Sequence, residues 1–301
     1  MEKTPRVSVV LPTHNRSETL SRSIGSVLCQ TYHDFDLILV DDASTDDTEE
    51  VVKAFDDNRI YYKKLSKNVG GAEARNVGIQ LARGDYVAFQ DSDDEWTCTH
   101  LEKSVATLDS NRKIGVVFSA FIQIGESGCR KMPMWSDGFQ HSDFYGSLLW
   151  RNVVGTPTVV ARRSALESVG GFDASMPRYQ DWELSLRLAQ VVSFKYLEEP
   201  GLLSYITPSS ITQNQEAHAI ALQAIYDKHA NSIKNNRSLQ AAWFHRMGDA
   251  KMSLNKKGGR RLLLNAVVAE PTNLRYLIKA ILSLSNNNKI YARGKSFFER
   301  N

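Results

Sequence analysis

Strand-like and helix-like segments alternate four times in about the first hundred residues, and no other feature restricts the fold of this chain as much. Residues 7–11 (VSVVL) are a β-branched run halted by Pro12, the pattern of a buried strand running into a loop. Leu20, Ile24, Val27 and Leu28 then recur at helical spacing, with Ser17 or Asn15 available as the cap. Residues 35–40 (FDLILV) read as a second strand ending on Asp41 and Asp42, and residues 45–55 as a helix whose acidic start suits the helix dipole. A short strand at 60–62, a helix at 71–82 and a strand at 86–90 (YVAFQ) complete the series. This alternation predicts an α/β fold with a parallel, doubly wound sheet, in which ligands collect at the carboxyl ends of the strands. The polar clusters fall at those ends: Thr13-His14-Asn15, Asp41-Asp42, and Asp91-Ser92-Asp93-Asp94.

Beyond residue 115 the pattern loosens. Residues 115–124 and 153–161 read as strands, 164–169 and 181–190 as helices, with a Gly-, Met- and Trp-rich loop around 132–141. After a polar segment at 207–215 the chain reads as helical to residue 301, with a break at 256–259.

Charge is unevenly spread. From residue 231 onward there are 14 Lys and Arg against 3 Asp and Glu, a balance of +11, while the rest carries −8. A basic tail on an acidic body suits an anionic membrane surface or nucleic acid, or else a solvated helical face. No basic patch is interleaved with aromatics in the nucleic-acid manner, so no nucleic-acid partner is expected. No apolar stretch reaches the roughly 18 residues that a transmembrane helix needs. Cys29, Cys98 and Cys129 match neither a disulfide framework nor a CxxC metal pattern. The start of the chain lacks a signal-peptide core, so the expected location is cytoplasmic, with peripheral contact at the inner face of the cell membrane.

The chemistry rests on a few constellations. Carboxylates two apart after a strand, Asp91 and Asp93, can share Mn²⁺ or Mg²⁺ with a bridging diphosphate, although an Asp-rich turn capping a helix near Thr99 has the same composition. Asp41-Asp42 can accept hydrogen bonds from a base or ribose, or simply lead into a capped helix. Arg75, near the start of a helix after the Gly70-Gly71 turn, can meet a phosphate. Asp181, opening a helix, can abstract a hydroxyl proton as a general base or merely favour the helix dipole. Neither a GxxxxGK[ST] loop nor a GxSxG elbow is present.

Taken in order, VSVVLPTHNR (7–16), LILVDDASTDDT (37–48), NVGGAEARNVGI (68–79), GDYVAFQDSDDEW (84–96), GTPTVVARRSALESVGGFD (155–173) and YQDWELSLRL (179–188) resemble glycosyltransferase family 2 over about residues 5–215. The resemblance implies a GT-A fold, a Rossmann-like, mostly parallel sheet flanked by helices, followed by a C-terminal helical extension. It implies a nucleotide-sugar-binding half at 1–115, an acceptor-binding half with the catalytic base at 116–215, and a basic helical extension at 216–301. The implied activity is inverting, metal-dependent transfer from a nucleotide-diphosphate sugar, expected to be a UDP-sugar, to a saccharide or lipid-linked saccharide hydroxyl in surface polysaccharide or glycolipid synthesis. Pro12, Thr13 and Asn15 would line the nucleotide pocket, Asp42 with Asp41 would read the uracil edge, and Arg75 would lie against the nucleotide or diphosphate. Asp91-Ser92-Asp93 fits the DxD motif, with Asp93 as the metal ligand and Asp91 nearer the ribose or the metal's waters. Asp181 takes the place of the base.

Two departures qualify the match: Gln180 stands where relatives often have Glu, and Tyr205-Ile206-Thr207-Pro208 replaces a common Tyr-Arg-x-His stretch. The first motivates a rival reading as a catalytically silent nucleotide-sugar-binding subunit of a glycan-assembly complex. A sugar-nucleotide pyrophosphorylase is disfavoured because Pro12-Thr13-His14-Asn15 is not a Gly-rich basic loop. Self-association into a homo-oligomer is compatible with either reading.

Overall fold

A computed structural model describes residues 4–126, 128–133, 143–206 and 214–284. The chain divides into two compact units, one formed by Met1–Ala174 with Gln180–Pro208 and the other by Ser175–Tyr179 with Ser209–Asn301.

The first unit is built on one mixed sheet. Strands β1 (Val7–Thr13), β2 (Phe35–Asp41), β3 (Ile60–Lys64) and β4 (Tyr86–Phe89) pair in parallel in the order β3-β2-β1-β4. Helices α1 (Ser17–Leu28), α2 (Thr48–Lys53) and α3 (Gly71–Leu81) make the crossovers. The sheet continues through antiparallel β8 (Val159–Arg162) to β6 (Ile114–Gly125), β9 (Ser193–Tyr205) and β5 (Glu95–Trp96), while β7 (Gly128–Met132) folds back on β6. Helices α4 (His100–Ser110), α5 (Phe144–Trp150), α6 (Arg163–Ser168) and α7 (Gln180–Leu188) complete the unit.

The β-branched runs make the central strands because both of their faces are covered. Val9, Leu37, Leu39, Ala88, Val117 and Val160 are buried in one core with Leu20 and Ile24 of α1 and Leu101, Val105 and Leu108 of α4. Each fully buried Leu, Ile or Val contributes about 1.5–3 kcal/mol relative to exposure. Helix α3 lies so close on β1 that a Cβ at Gly78 would come within 2.2 Å of Val10 Cγ1.

Several local expectations need correction. Neither Asn15 nor Ser17 caps α1 through its side chain: the N-cap is Arg16, and the Ser17 N–H donates to Asp46 in the loop before α2. The run at 153–161 is not one strand. A helical turn at Thr156–Thr158 interrupts it, and the Pro157 carbonyl there accepts the Trp96 indole N–H at 2.7 Å. Pro favours the first turn of a helix, so pairing begins only at Val159. Most of the loop at 132–141 and of the polar segment at 207–215 lies outside the described residues.

The second unit consists of α8 (Gln215–Lys228), α9 (Ala230–Lys234), α10 (Arg237–Ser253), α11 (Gly259–Ala269) and α12 (Leu274–Leu284). Asn214 and Asn236 cap α8 and α10 through side-chain oxygens, satisfying backbone donors of the first turn. Asn255 (φ 55°) and Gly258 (φ 87°) turn the chain between α10 and α11, at the expected break. No described helix is long and apolar enough to cross a membrane.

Candidate active site

Parallel pairing brings the ends of β1, β2 and β4 side by side, and the polar clusters with them. Pro12 and Thr13 close β1 and are buried, with Thr13 Oγ1 lacking a partner. Asn15 has a positive φ of 50°, a conformation that Asn tolerates better than most residues. Its side-chain oxygen accepts the Thr45 N–H at 2.8 Å and its own N–H donates to Ser44 Oγ at 2.9 Å, which ties the β1 loop to the β2 loop.

Asp41 and Asp42 are turned inward. Asp41 accepts the Ser44 N–H at 2.7 Å and the Tyr62 hydroxyl at 2.5 Å. Asp42 accepts the N–H groups of Val69 and Gly70 at 2.7 and 2.8 Å, one on each oxygen. Both carboxylates therefore serve as clamps for the loops around them. Any role against a base uses lone pairs left over from those bonds.

The cluster after β4 is held by arginines. Asp91 Oδ1 pairs with Arg75 at 2.5 Å, and Asp93 Oδ2 lies 3.6 Å from Arg16. Arg22, stacked 3.7 Å over the Tyr205 ring, donates to the Asp93 carbonyl. Burial and the neighbouring Asp91 push the Asp93 carboxyl above the ordinary range, against the pull of Arg16. Asp94 is pushed up to about 8 by burial and by Asp91 and Asp93, although it accepts the Tyr205 N–H. Sequence assigns no role to Arg16 or Arg22, and it names Asp94 and Tyr205 only as members of their segments. Arg16 closes the first strand-end motif, but nothing local marks it as the partner of Asp93.

The two acids of residues 180–183 (QDWE) take separate roles. Glu183 is fully buried and forms a fork with Arg187, which also donates to the carbonyls of Val169 and Gly171. That acid is structural. Asp181 instead borders a narrow apolar recess with Phe89, Thr156 and Phe172. It accepts the Trp182 N–H at 2.8 Å and the Asn152 side-chain amide at 2.9 Å. Burial raises the Asp181 carboxyl above the ordinary range. Trp182, Asn152 and Arg75 hold it down, and Asp91 pushes it up. The Asp91–Arg75 pair and Asp181 thus lie within each other's electrostatic reach. Asn152 carries no sequence signal, since it precedes Asp181 by 29 residues.

The donor chemistry for a divalent ion is partial. Asp91 and Asp93 each engage an arginine through one oxygen, leaving a second oxygen on each for another cation. No group of three or more His, Cys, Asp or Glu that could hold a metal gathers among the described residues. Two carboxylates suit an ion that completes its shell with phosphate and water oxygens. Arg22 Nε and Arg75 Nε, buried without a partner, add unspent donors beside them. A separate cavity of about 390 Å³, lined by Arg6, Asp85, Asp109, Arg162 and Arg163, opens at the other ends of β1 and β4.

Known proteins resemble this chain in sequence and in fold. AmsB of Erwinia amylovora, an amylovoran biosynthesis glycosyltransferase, is 32% identical over 201 residues, covering 63% of this chain and 65% of that protein. The Escherichia coli UDP-Glc:alpha-D-GlcNAc-diphosphoundecaprenol beta-1,3-glucosyltransferase WfgD is 40% identical over 105 residues, 35% of this chain and 42% of its own length. Both alignments thus span less than two-thirds of the relative. Two solved structures share the fold: S. aureus TarS 1–349 in complex with UDP-GlcNAc (TM-score 0.64, 17% identity, 96% of this chain and 92% of that one), and the mannosyltransferase PcManGT from Pyrobaculum calidifontis in complex with GDP-Man and Mn²⁺ (TM-score 0.60, 19% identity, 98% and 85%). The profile of Glycosyl transferase family 2 matches residues 8–170, more than half of the chain, and the protein belongs to that family.

Proposed function

We propose that the chain transfers a sugar from a UDP-sugar to a hydroxyl of a saccharide or lipid-linked saccharide, with inversion, in surface polysaccharide or glycolipid synthesis at the inner face of the cell membrane. The observation that carries this reading is that Asp181 on α7, within the same unit, feels the charges of Arg75 and Asp91, which supports pairing a candidate base with a candidate diphosphate-binding cluster. Relatives named for UDP-glucose and diphosphoundecaprenol, and a fold neighbour holding UDP-GlcNAc, support the donor and acceptor classes.

Asp93, with Asp91 beside it, would hold Mn²⁺ or Mg²⁺. When bound, such an ion supplies Lewis-acid stabilisation of the departing diphosphate. Pro12, Thr13 and Asn15 would line the nucleotide pocket, Asp41 and Asp42 would shape it through the loops they clamp, and Arg75 would offer positive charge to the diphosphate. Asp181 takes the proton of the acceptor hydroxyl as its oxygen forms the new anomeric C–O bond. The old C–O bond breaks with its electron pair leaving on the diphosphate. One displacement from the opposite face inverts the anomeric centre.

Calorimetric titration with UDP, with and without Mn²⁺, tests the donor site. Wild type is expected to bind in a metal-dependent way and Asp93→Ala to lose that dependence. Asp181→Asn is expected to keep UDP binding while losing turnover by at least 10²-fold, within the range of general-base catalysis, about 10²–10⁴. Undiminished transfer by Asp181→Asn would remove the base assignment.

A further inference from the structure

In the second unit, α12 buries a lysine and leaves an apolar stripe outside. Lys279 is 2% exposed and pairs with Asp249 at 2.8 Å, and Tyr276, Ala280 and Ser283 are buried with it. Leu274, Leu277, Ile281 and Leu284 follow at intervals of three, four and three residues, a single stripe at helical period, and are 67%, 39%, 57% and 55% exposed. The neighbouring α11 leaves Leu264 and Val268 exposed, one turn apart. Arg260 at the start of α11 donates to the Ser283 carbonyl near the end of α12, which fixes the two helices side by side. A helix turning its polar side to water places charges where α12 places leucines, and grouped apolar exposure of this kind marks an interaction surface.

We infer that the exposed face of α11 and α12 docks on an anionic lipid surface. The cations around it choose the occupant. Lys257, Arg260, Arg261 and Arg275 are exposed on or beside these helices, and Lys256 joins them while paired with Glu216. Within residues 256–284 the one acid is Glu270, which accepts hydrogen bonds from Ser238 and Asn273. A second copy of the chain would bring the same cations against these and meet like charge, which disfavours that pairing. An anionic leaflet offers the complementary charge and a depth of acyl chain for the leucines. With 11 residues, α12 is about 16 Å long at 1.5 Å per residue, enough to lie in the interface and too short to span it. The inference concerns the second unit alone and does not depend on the donor, the metal or the base.

Co-sedimentation of the full chain with vesicles of phosphatidylglycerol and phosphatidylcholine, compared with pure phosphatidylcholine, tests it. Binding to the anionic vesicles is expected, weakening as salt is added. The exposed substitutions Leu277→Gln with Ile281→Gln are expected to abolish it, and Arg261→Gln with Arg275→Gln to weaken it, on the order of fivefold per cation removed. Melting temperature and UDP affinity serve as controls, and both pairs of substitutions should leave them unchanged. The absence of vesicle binding at low salt would overturn the inference, as would binding that neither pair of substitutions alters. A dimer seen by light scattering and dissolved by Leu277→Gln with Ile281→Gln would also overturn it, by assigning the face to a second copy.

Discussion

Replacing Asn152 with leucine should raise the pKa of Asp181 and move the working pH of the enzyme with it. The Asn152 amide has no freedom to turn away: its oxygen accepts the Val154 N–H at 3.1 Å, so its NH₂ faces Asp181 Oδ2 at 2.9 Å. The Asp181 environment is poised between opposing influences. Burial and Asp91 favour the neutral acid, while Trp182, Asn152 and Arg75 favour the carboxylate. A hydrogen bond to a charged group is worth about 1.5–3 kcal/mol, or about one to two pKa units. Asn152 is only half-buried, so the lower end applies, about one unit. The donor stabilises the ionised form, so its removal raises the pKa, and a base that must be ionised then needs a higher pH. The acid limb of kcat/KM is expected to shift upward by about one unit, with much of the activity recovered on the alkaline plateau. Carbon-13 NMR of the Asp181 carboxyl, identified by its loss in Asp181→Asn, reads the same shift without any acceptor. An unchanged pKa in Asn152→Leu would refute the positioning argument. A shifted pKa with an unshifted rate profile would instead refute Asp181 as the base.

Two further outcomes concern stability. Glu183→Ala leaves Arg187 without its carboxylate in a largely buried site, and breaking such a pair costs about 3–5 kcal/mol. The low end is expected because the Val169 and Gly171 carbonyls still receive the guanidinium, and a denaturant titration that moves by less than about 1 kcal/mol would contradict the structural role. His100, packed against Trp96 with the rings tilted and without a partner on either ring nitrogen, is pushed by burial down to about 3. Its folded pKa lies below the unfolded value of about 6.5, so the unfolded chain binds the extra proton and stability falls as pH drops through that window. By pH 4 the loss amounts to about 3 kcal/mol, and His100→Phe should remove it; an equal pH 7-to-4 drop in both proteins would show that His100 is not responsible.

What sequence revealed and what it hid divide along the range of the interactions involved. Val7, Val9 and Leu11, or Leu37 and Leu39, carry their strand assignment in local residue type and spacing, and the polar ends of β1, β2 and β4 follow because parallel strands all end at one edge. Strand β9 escaped because its sequence has no clean period. Glu198, Glu199 and Pro200 interrupt it, and its pairing with β6 slips in register around Ser119 and Ala120. The inward turn of Asp41 and Asp42 was equally hidden, since their partners include Tyr62, Val69 and Gly70, more than 20 residues away. The pairing of Asn152 with Asp181 belongs to the same class. A motif can name an acid, but only the fold supplies the groups that hold it.

The arginines explain why so dense an acidic cluster can be kept at one strand end. Asp91, Asp93 and Asp94 repel one another, and burial further penalises the charges of Asp93 and Asp94. Ionising all of them without counter-charge would be costly, so Arg75 and Arg16 stand against Asp91 and Asp93, while Asp94, in no ion pair among the described residues, is pushed up to about 8. Under the proposed reading these guanidiniums have a second use. A diphosphate arriving beside the carboxylates brings negative charge that the same arginines can meet without leaving the site, because an Arg fork offers five donors and the carboxylates occupy only some of them. Arg75 Nε and Arg22 Nε are already without partners in the buried interior, so part of that capacity is unspent in the protein alone. The same side chains therefore keep the acids tolerable in the free protein and stand ready for phosphate. On this reasoning Arg75, more than any single carboxylate, couples the folding of the strand end to its capacity for a nucleotide-diphosphate donor.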